Sequence, residues 1–216
     1  MTASGLTLYA DAFWISPYVY SVFVTLEEKG LPFAVKPIAL QAGEQRAPGY
    51  EERALTTRVP ALEHDGFWLS ESSAIVEYLE DTFPAPGFPR ALPADPRERA
   101  RARQVMAWLR SDLMGLREDR SAETIFYAPA TRPLSAAGEA AARKLVRVAE
   151  LLLPEDRTSL FAAWSTADAD LAFMLQRLIR NGHAVPARLR AFADAQWARP
   201  SVRAFVERER APYVPY

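Results

Sequence analysis

The chain has 216 residues, 50% of them hydrophobic, with 26 Lys and Arg against 27 Asp and Glu and a net charge of −1. That length suits one large domain or two small ones, and basic residues that form no block speak against nucleic acid or an anionic membrane as partner. Cysteine is absent, which excludes disulfides, thiolate metal sites and a protein thiol nucleophile, so any thiol chemistry belongs to a ligand. The opening MTASGLTLYAD has no basic segment followed by an apolar one, and no run approaches the ~18 apolar residues of a membrane span. A cytoplasmic protein that does not cross a membrane is expected.

Leu6-Thr7-Leu8-Tyr9 alternates as a short strand, and residues 10–16 follow as a loop holding Phe13 and Trp14. Ser16-Pro17 predicts a helix start, because serine caps well and proline's missing N–H is harmless in the first turn. Val19, Val22, Phe23 and Leu26 give that helix its inward face, Glu27, Glu28 and Lys29 are expected in solvent, and Gly30 ends it. Residues 33–38 read as a second strand, with Pro37 marking an edge or an end. Residues 41–57 are polar and irregular, with room for a short helix. Arg58-Val59-Pro60 then leads into Ala61-Leu62, Asp65-Gly66 signals a type I′ hairpin, and Phe67-Trp68-Leu69 returns. Ser70-Glu71-Ser72-Ser73 opens a helix with Ile75, Val76 and Leu79 on one face.

This last stretch carries chemistry. A helix N-terminus offers unpaired N–H groups and a favourable dipole to an anion. Ser72 and Ser73 add hydroxyls, and Glu71 adds a carboxylate that would pair with an ammonium. An amino-acid head would satisfy both. The structural alternative is that Ser70 or Ser72 caps the helix. Val59, standing before a proline, is biased toward extended backbone, which would offer its N–H and C=O to a peptide-like ligand; a cis Pro60 would fix that edge.

The prolines at 84, 86, 89, 93 and 96 around Gly87 mark a linker over 84–96. Beyond it no strand signal survives. One long helix is predicted over 97–118, with Val105, Trp108, Leu109, Asp112 and Leu116 near one face. The arginines at 97, 99, 101 and 103 read as a solvated face. Residues 125–133 read as a linker containing Phe126 and Tyr127, and 136–153 as a helix. Ser165-Thr166-Ala167-Asp168 reads as a capping box before a core helix bearing Leu171, Met174, Leu175 and Leu178. Short helices are expected at 187–195 and 201–209, then an aromatic tail, Tyr213 to Tyr216, that folds back or frays. His64 and His183, the only histidines, read as structural or surface residues.

The order β-α-β-(α)-β-β-α followed by helices, with V-P ahead of the hairpin and E-S on a helix, resembles the glutathione transferases. The stretches ADAFWISPYVYS, LSESSAIVEYLED and RARARQVMAWLRSDLMGLRE resemble the bacterial YfcF-type branch, and the S-T-A-D signature resembles that family's buried sixth helix. The resemblance implies an α/β thioredoxin-like N-terminal domain over residues 1–83 and an all-α domain over 97–216. It implies glutathione as co-substrate, no metal, a homodimer, and a hydrophobic electrophile or hydroperoxide as second substrate. Carried over by position, Val59 and Pro60 face the cysteinyl part of glutathione, Glu71 and Ser72 its γ-glutamyl head, and Arg58 its backbone; Gln41 or Gln45 is left for the glycyl carboxylate. Ser16 falls where the serine and cysteine classes place their thiol-activating residue, with Tyr9 as runner-up. Phe13, Trp14, Trp108 and Tyr127 are expected to line the electrophile pocket. Two alternatives stand beside this reading. One is a non-catalytic scaffold on the same fold. The other is a zeta-type glutathione-dependent isomerase, although those relatives show a serine-serine-cysteine run where this chain has Ile15-Ser16-Pro17.

Overall fold

A computed structural model describes residues 5–215; the expectations for Met1–Ser4 and Tyr216 lie outside them. The chain divides into two compact units, one running through Ala91 and including the residues from Glu207 on, the other spanning Leu92–Val206.

In the first unit, β1 (Leu6–Asp11), α1 (Pro17–Glu28), β2 (Ala34–Ile38), α2 (Pro48–Glu51), β3 (Ala61–His64), β4 (Phe67–Ser70) and α3 (Ser72–Thr82) follow in order. The sheet order is β2-β1-β3-β4. β1 and β2 are parallel, as two strands joined through a crossover helix must be, while β3 and β4 run antiparallel as a hairpin. Asp65 and Gly66 both have positive φ, 49° and 88°, the geometry a type I′ turn demands. Pro37 sits on edge strand β2, where its missing N–H removes no second ladder. Between β2 and α2 the chain makes two 3-10 turns, Leu40–Ala42 and Glu44–Arg46.

α1 buries Val19, Val22, Phe23 and Leu26 as its spacing requires, and also Tyr20, Ser21, Val24 and Thr25. Lys29, expected in solvent, is 1% exposed. Its ammonium donates to Glu80 of α3 and to the carbonyl of Pro89, both at 2.9 Å. A buried charge needs a partner, and the partner here lies 51 residues away.

The second unit is helical: α4 (Pro96–Ser111), α5 (Met114–Asp119), α6 (Glu123–Phe126), α7 (Ala136–Leu152), α8 (Thr166–Ile179), α9 (Ala187–Trp197) and α10 (Pro200–Val206). α8 is its axis, buried from Thr166 through Leu178. Its capping box forms: Ser165 donates its backbone N–H to Asp168 Oδ2 at 2.8 Å and its hydroxyl to the same oxygen at 3.2 Å. The helix predicted over 97–118 is instead two. The Asp112 carboxylate accepts from the N–H of Leu113 and the indole of Trp108, and Leu113 takes a left-handed φ of 62°. Gly115 then lets α5 approach α7; a Cβ there would lie 2.6 Å from the backbone of Ala137. The linker expected at 125–133 begins inside the one-turn helix α6.

The all-α domain expected through residue 216 ends earlier. Residues from Glu207 on gather with the first unit, because Arg210 donates to the carbonyl of Trp14 and Tyr213 packs edge-on against Phe13.

Candidate functional site

The sheet register aligns Tyr9, Ala61 and Ser70 in one row. The C-terminal ends of β1 and β4 and the N-terminal end of β3 therefore share one end of the sheet. There the chain leaves β1 toward Ser16, enters β3 through Val59-Pro60, and leaves β4 into Glu71-Ser72.

The loop from β1 to α1 is built around Asp11, a residue the sequence did not single out. Asp11 is fully buried. Its Oδ2 accepts from the N–H of Ile15 at 2.8 Å and its Oδ1 from the N–H of Ser16 at 3.2 Å. Burial pushes its carboxyl above the usual range, opposed by those two amides and by Arg210. A carboxylate four and five residues ahead of the amides it accepts is the one signal that could have revealed it. Trp14 closes the turn at φ 54°. Ser16 is extended (φ −64°, ψ 121°) and caps α1, its Oγ accepting from Val19 N–H at 3.3 Å. Ser16 is part-exposed. A hydroxyl accepts and donates at once, so capping and donation to a ligand anion need no exchange of partners. The cap also puts the oxygen at the positive end of the helix dipole.

Tyr9 is 7% exposed and its ring packs on Trp68 and Tyr50. Its hydroxyl donates to Glu63 at 2.8 Å and accepts from Lys36 at 3.2 Å. Burial and the bond to Glu63 push the phenol above its ordinary pKa, with Lys36 opposing.

The Val59-Pro60 peptide is cis, and both residues are buried. Val59 lies beyond the β1–β3 ladder, whose register ends at Ala61. Tyr50 donates to the carbonyl of Arg58 at 2.6 Å, while Arg58 itself is exposed. Glu71, exposed, occupies the cap position of α3 at φ 70° and ψ 114° with no side-chain cap bond. Neither Ser70 nor Ser72 caps this helix: Ser72 is its first residue, 4% exposed, and Ser70 Oγ is buried with no hydrogen-bond partner among the described residues. The Glu71 side chain makes no cap bond to the amides that open α3, a helix start whose dipole favours an anion.

Residues 95–210 match the family described as "Glutathione S-transferase, C-terminal domain", and residues 15–82 match "Glutathione S-transferase, N-terminal domain". The chain belongs to the glutathione S-transferase family. A crystal structure of a glutathione transferase homologue from Burkholderia gl BGR1 with bound glutathione is 41% identical, with a TM-score of 0.78 over 94% of this chain and 97% of that one. "Probable maleylacetoacetate isomerase 2" of Drosophila melanogaster is 36% identical over 107 residues, 49% of this chain and 46% of that protein. The maleylacetoacetate isomerase of Pseudomonas aeruginosa is 41% identical over 97 residues, 44% of each chain. The matched stretch spans less than half the length of these two relatives.

Within this transferase fold the four expected pocket aromatics fall in both units. Phe13 is 4% exposed and packs on Tyr213; Trp14 carries the Arg208 guanidinium 3.8 Å from its ring centre. Trp108 belongs to the helical unit, where it lines a cleft of about 250 Å³ with Val105, Val148 and Leu152. Tyr127, part-exposed, follows α6. Gln41 is exposed on the first 3-10 turn, and Gln45 buries an Oε1 with no hydrogen-bond partner among the described residues. His64 bonds Tyr78 at 2.7 Å and His183 accepts from Arg120 at 2.9 Å. No group of three His, Cys, Asp or Glu among the described residues could hold a metal, and none of their helices is long and apolar enough to cross a membrane.

Proposed function

We propose that this chain is a glutathione transferase in which Ser16 stabilises the thiolate of bound glutathione. The observation that carries this reading is the Ser16 hydroxyl. It is part-exposed, fixed at the start of α1 by the Asp11 carboxylate, and has its proton left to give. A free thiol titrates near 8.5, so only a few per cent is thiolate at neutral pH. A hydrogen bond to a charged acceptor contributes about 1.5–3 kcal/mol, or roughly one to two pKa units, which brings much of the thiol into the reactive form. Tyr9 is a poorer donor, since its proton goes to Glu63. Val59 pairs with the cysteinyl backbone of glutathione beside Pro60. The γ-glutamyl carboxylate sits on the first amides of α3 with the Ser72 hydroxyl, its ammonium faces Glu71, and Arg58 reaches the tripeptide backbone. Glutathione bound in the 41% identical Burkholderia protein supports this assignment.

The second substrate is a hydrophobic electrophile or an organic hydroperoxide, as in the bacterial YfcF-type branch. With a hydroperoxide, the thiolate attacks oxygen, the O–O bond breaks, and glutathione sulfenic acid forms with release of the alcohol; a second glutathione gives the disulfide and water. A chain without cysteine leaves both thiols to glutathione. The protein works in the cytoplasm as a homodimer, as the family resemblance implies. A second reading, glutathione-dependent isomerisation, is favoured by the relatives named maleylacetoacetate isomerase; the Ile15-Ser16-Pro17 sequence weighs against it.

Calorimetry of glutathione binding, with thiolate absorbance followed against pH, tests the proposal on the wild type and Ser16→Ala. The expected result is binding by both, with the thiol pKa raised by about one to two units in the variant. Equal thiol pKa values make Ser16 a plain cap. A wild type that does not bind glutathione leaves a scaffold, and turnover of maleylacetoacetate selects the isomerase.

A further inference from the structure

We propose that Arg210 is a positioning residue for Ser16, holding the carbonyl of Trp14 from the C-terminal segment while Asp11 holds the amides of Ile15 and Ser16. The inference rests on the thiol-activating role of Ser16 and adds to that site a residue 196 positions away from the loop it touches.

The loop has an intrinsic weakness. Trp14 adopts φ 54°, a left-handed conformation that bulky side chains rarely take and that persists only when the surroundings hold it. Both of its peptide groups are held. Its N–H donates to the carbonyl of Asp11 at 3.1 Å. Its carbonyl accepts two guanidinium N–H groups of Arg210, Nε at 3.2 Å and Nη2 at 3.1 Å. The next two amides belong to the Asp11 carboxylate. Charge-assisted bonds of this kind are the stronger ones, and here they bracket the residue that would otherwise relax.

The rest of the tail reinforces the grip. Arg210 Nη1 donates to the carbonyl of Arg208 at 2.8 Å, which fixes the fork itself. The Arg208 guanidinium lies 3.8 Å from the Trp14 ring centre and 4.9 Å from that of Phe23, and Tyr213 meets Phe13 edge-on at 5.4 Å. Asp11 from β1, Glu27 from α1 and Arg208 and Arg210 from the tail carry the charge around the loop. The tail thus touches Phe13 and Trp14, and Ser16 follows within three residues. Ser16 Oγ must stand within hydrogen-bond reach of a sulfur, so a small displacement of the loop weakens thiolate stabilisation without abolishing glutathione binding, whose proposed contacts lie at the entries to β3 and α3.

Arg210→Met and Arg210→Lys, alone and combined with Ser16→Ala, test this in the full chain. Arg210→Met is expected to raise the pKa of bound glutathione thiol by about one unit, a roughly three- to eightfold loss of thiolate at neutral pH for a bound thiol that starts one to two units below 8.5, with affinity for glutathione unchanged within about twofold. Arg210→Lys, a point charge without the fork, falls between. The double variant Ser16→Ala/Arg210→Met matches Ser16→Ala alone in thiol pKa, because a residue acting through Ser16 adds nothing once Ser16 is gone. In the unliganded protein the amides of Ile15 and Ser16 exchange faster in Arg210→Met. A variant with lowered melting temperature but wild-type thiol pKa and exchange, or additive effects in the double variant, overturns the proposal and leaves Arg210 a structural anchor. A wild type that binds no glutathione, or a Ser16→Ala that leaves the thiol pKa unmoved, overturns the parent reading and this one together.

Discussion

Glu80→Gln probes the contact that ties α1 to α3 and to the chain at residues 89–91. Glu80 and Lys29 have side chains 2% and 0% exposed, with Nζ and Oε2 2.9 Å apart. At that separation and an effective dielectric near 20, their attraction is about 6 kcal/mol. Desolvation of two ions offsets most of this, so the pair's net worth is small, but leaving one ion unpaired costs about 3–5 kcal/mol. The two single variants should differ. In Lys29→Met, Glu80 keeps the N–H of Ala91 at 2.8 Å and Arg90 at 3.5 Å, so the cost falls near 3 kcal/mol. In Glu80→Gln the amide oxygen can still accept from Lys29, as the carbonyl of Pro89 does, but the buried ammonium is left without a counter-charge, and the cost approaches about 5 kcal/mol. The double variant Lys29→Met/Glu80→Gln removes both charges while Gln still accepts from Ala91, and should cost about 1–3 kcal/mol, the scale of polar groups left unsatisfied. Urea unfolding followed by circular dichroism reads all three. Singles below about 1 kcal/mol, or a double equal to the sum of the singles, would refute a charged buried pair.

Asp168 makes the helical unit pH-sensitive. Burial raises its carboxyl to about 6 from 3.8, against the amides of Leu160 and Ser165. A folded pKa above the unfolded value means that its stabilising contribution is full below pH ~4 and is lost as pH rises through about 6, by at most ~3 kcal/mol. Urea midpoints of wild type and Asp168→Asn between pH 4 and 7 should therefore converge or cross as pH rises; a constant gap refutes the shift. Glu71→Gly should leave folding stability unchanged or raise it by up to about 1 kcal/mol, since glycine takes φ 70° without the Cβ penalty, while glutathione affinity falls by tenfold or more as a charge-assisted bond to the ammonium is lost. Thermal melts and calorimetry on one preparation check both halves; a clear loss of stability would show that Glu71 is not strained.

Features set within a few residues were legible from sequence. Ser16-Pro17 announced the start of α1, Asp65-Gly66 the hairpin, Ser165 to Asp168 the capping box, and Pro37 an edge strand, because caps, primed turns and missing N–H groups act over one to four residues. The set proposed to face the ligand, Ser16, Val59-Pro60 and Glu71-Ser72, was named from local patterns together with the family resemblance, and the register of β1, β3 and β4 brings these segments to one end of the sheet. Local patterns failed where a residue's state depends on a distant partner. Lys29 looked solvated because its periodicity could not announce Glu80. The break at Asp112 was hidden because Val105, Leu109 and Leu116 continue the helical spacing through it.

The sequence by itself therefore determined most of the order of elements and the turns and caps set within a few residues, and it named the side chains proposed to meet a thiol. Tertiary structure alone decided which of them are held in place. Asp11 acts only because burial turns its carboxylate toward the amides of Ile15 and Ser16. Arg210 acts only because the tail returns to Trp14. Short-range rules carry no term for pairings made through space, and those pairings fix the loop on which Ser16 stands.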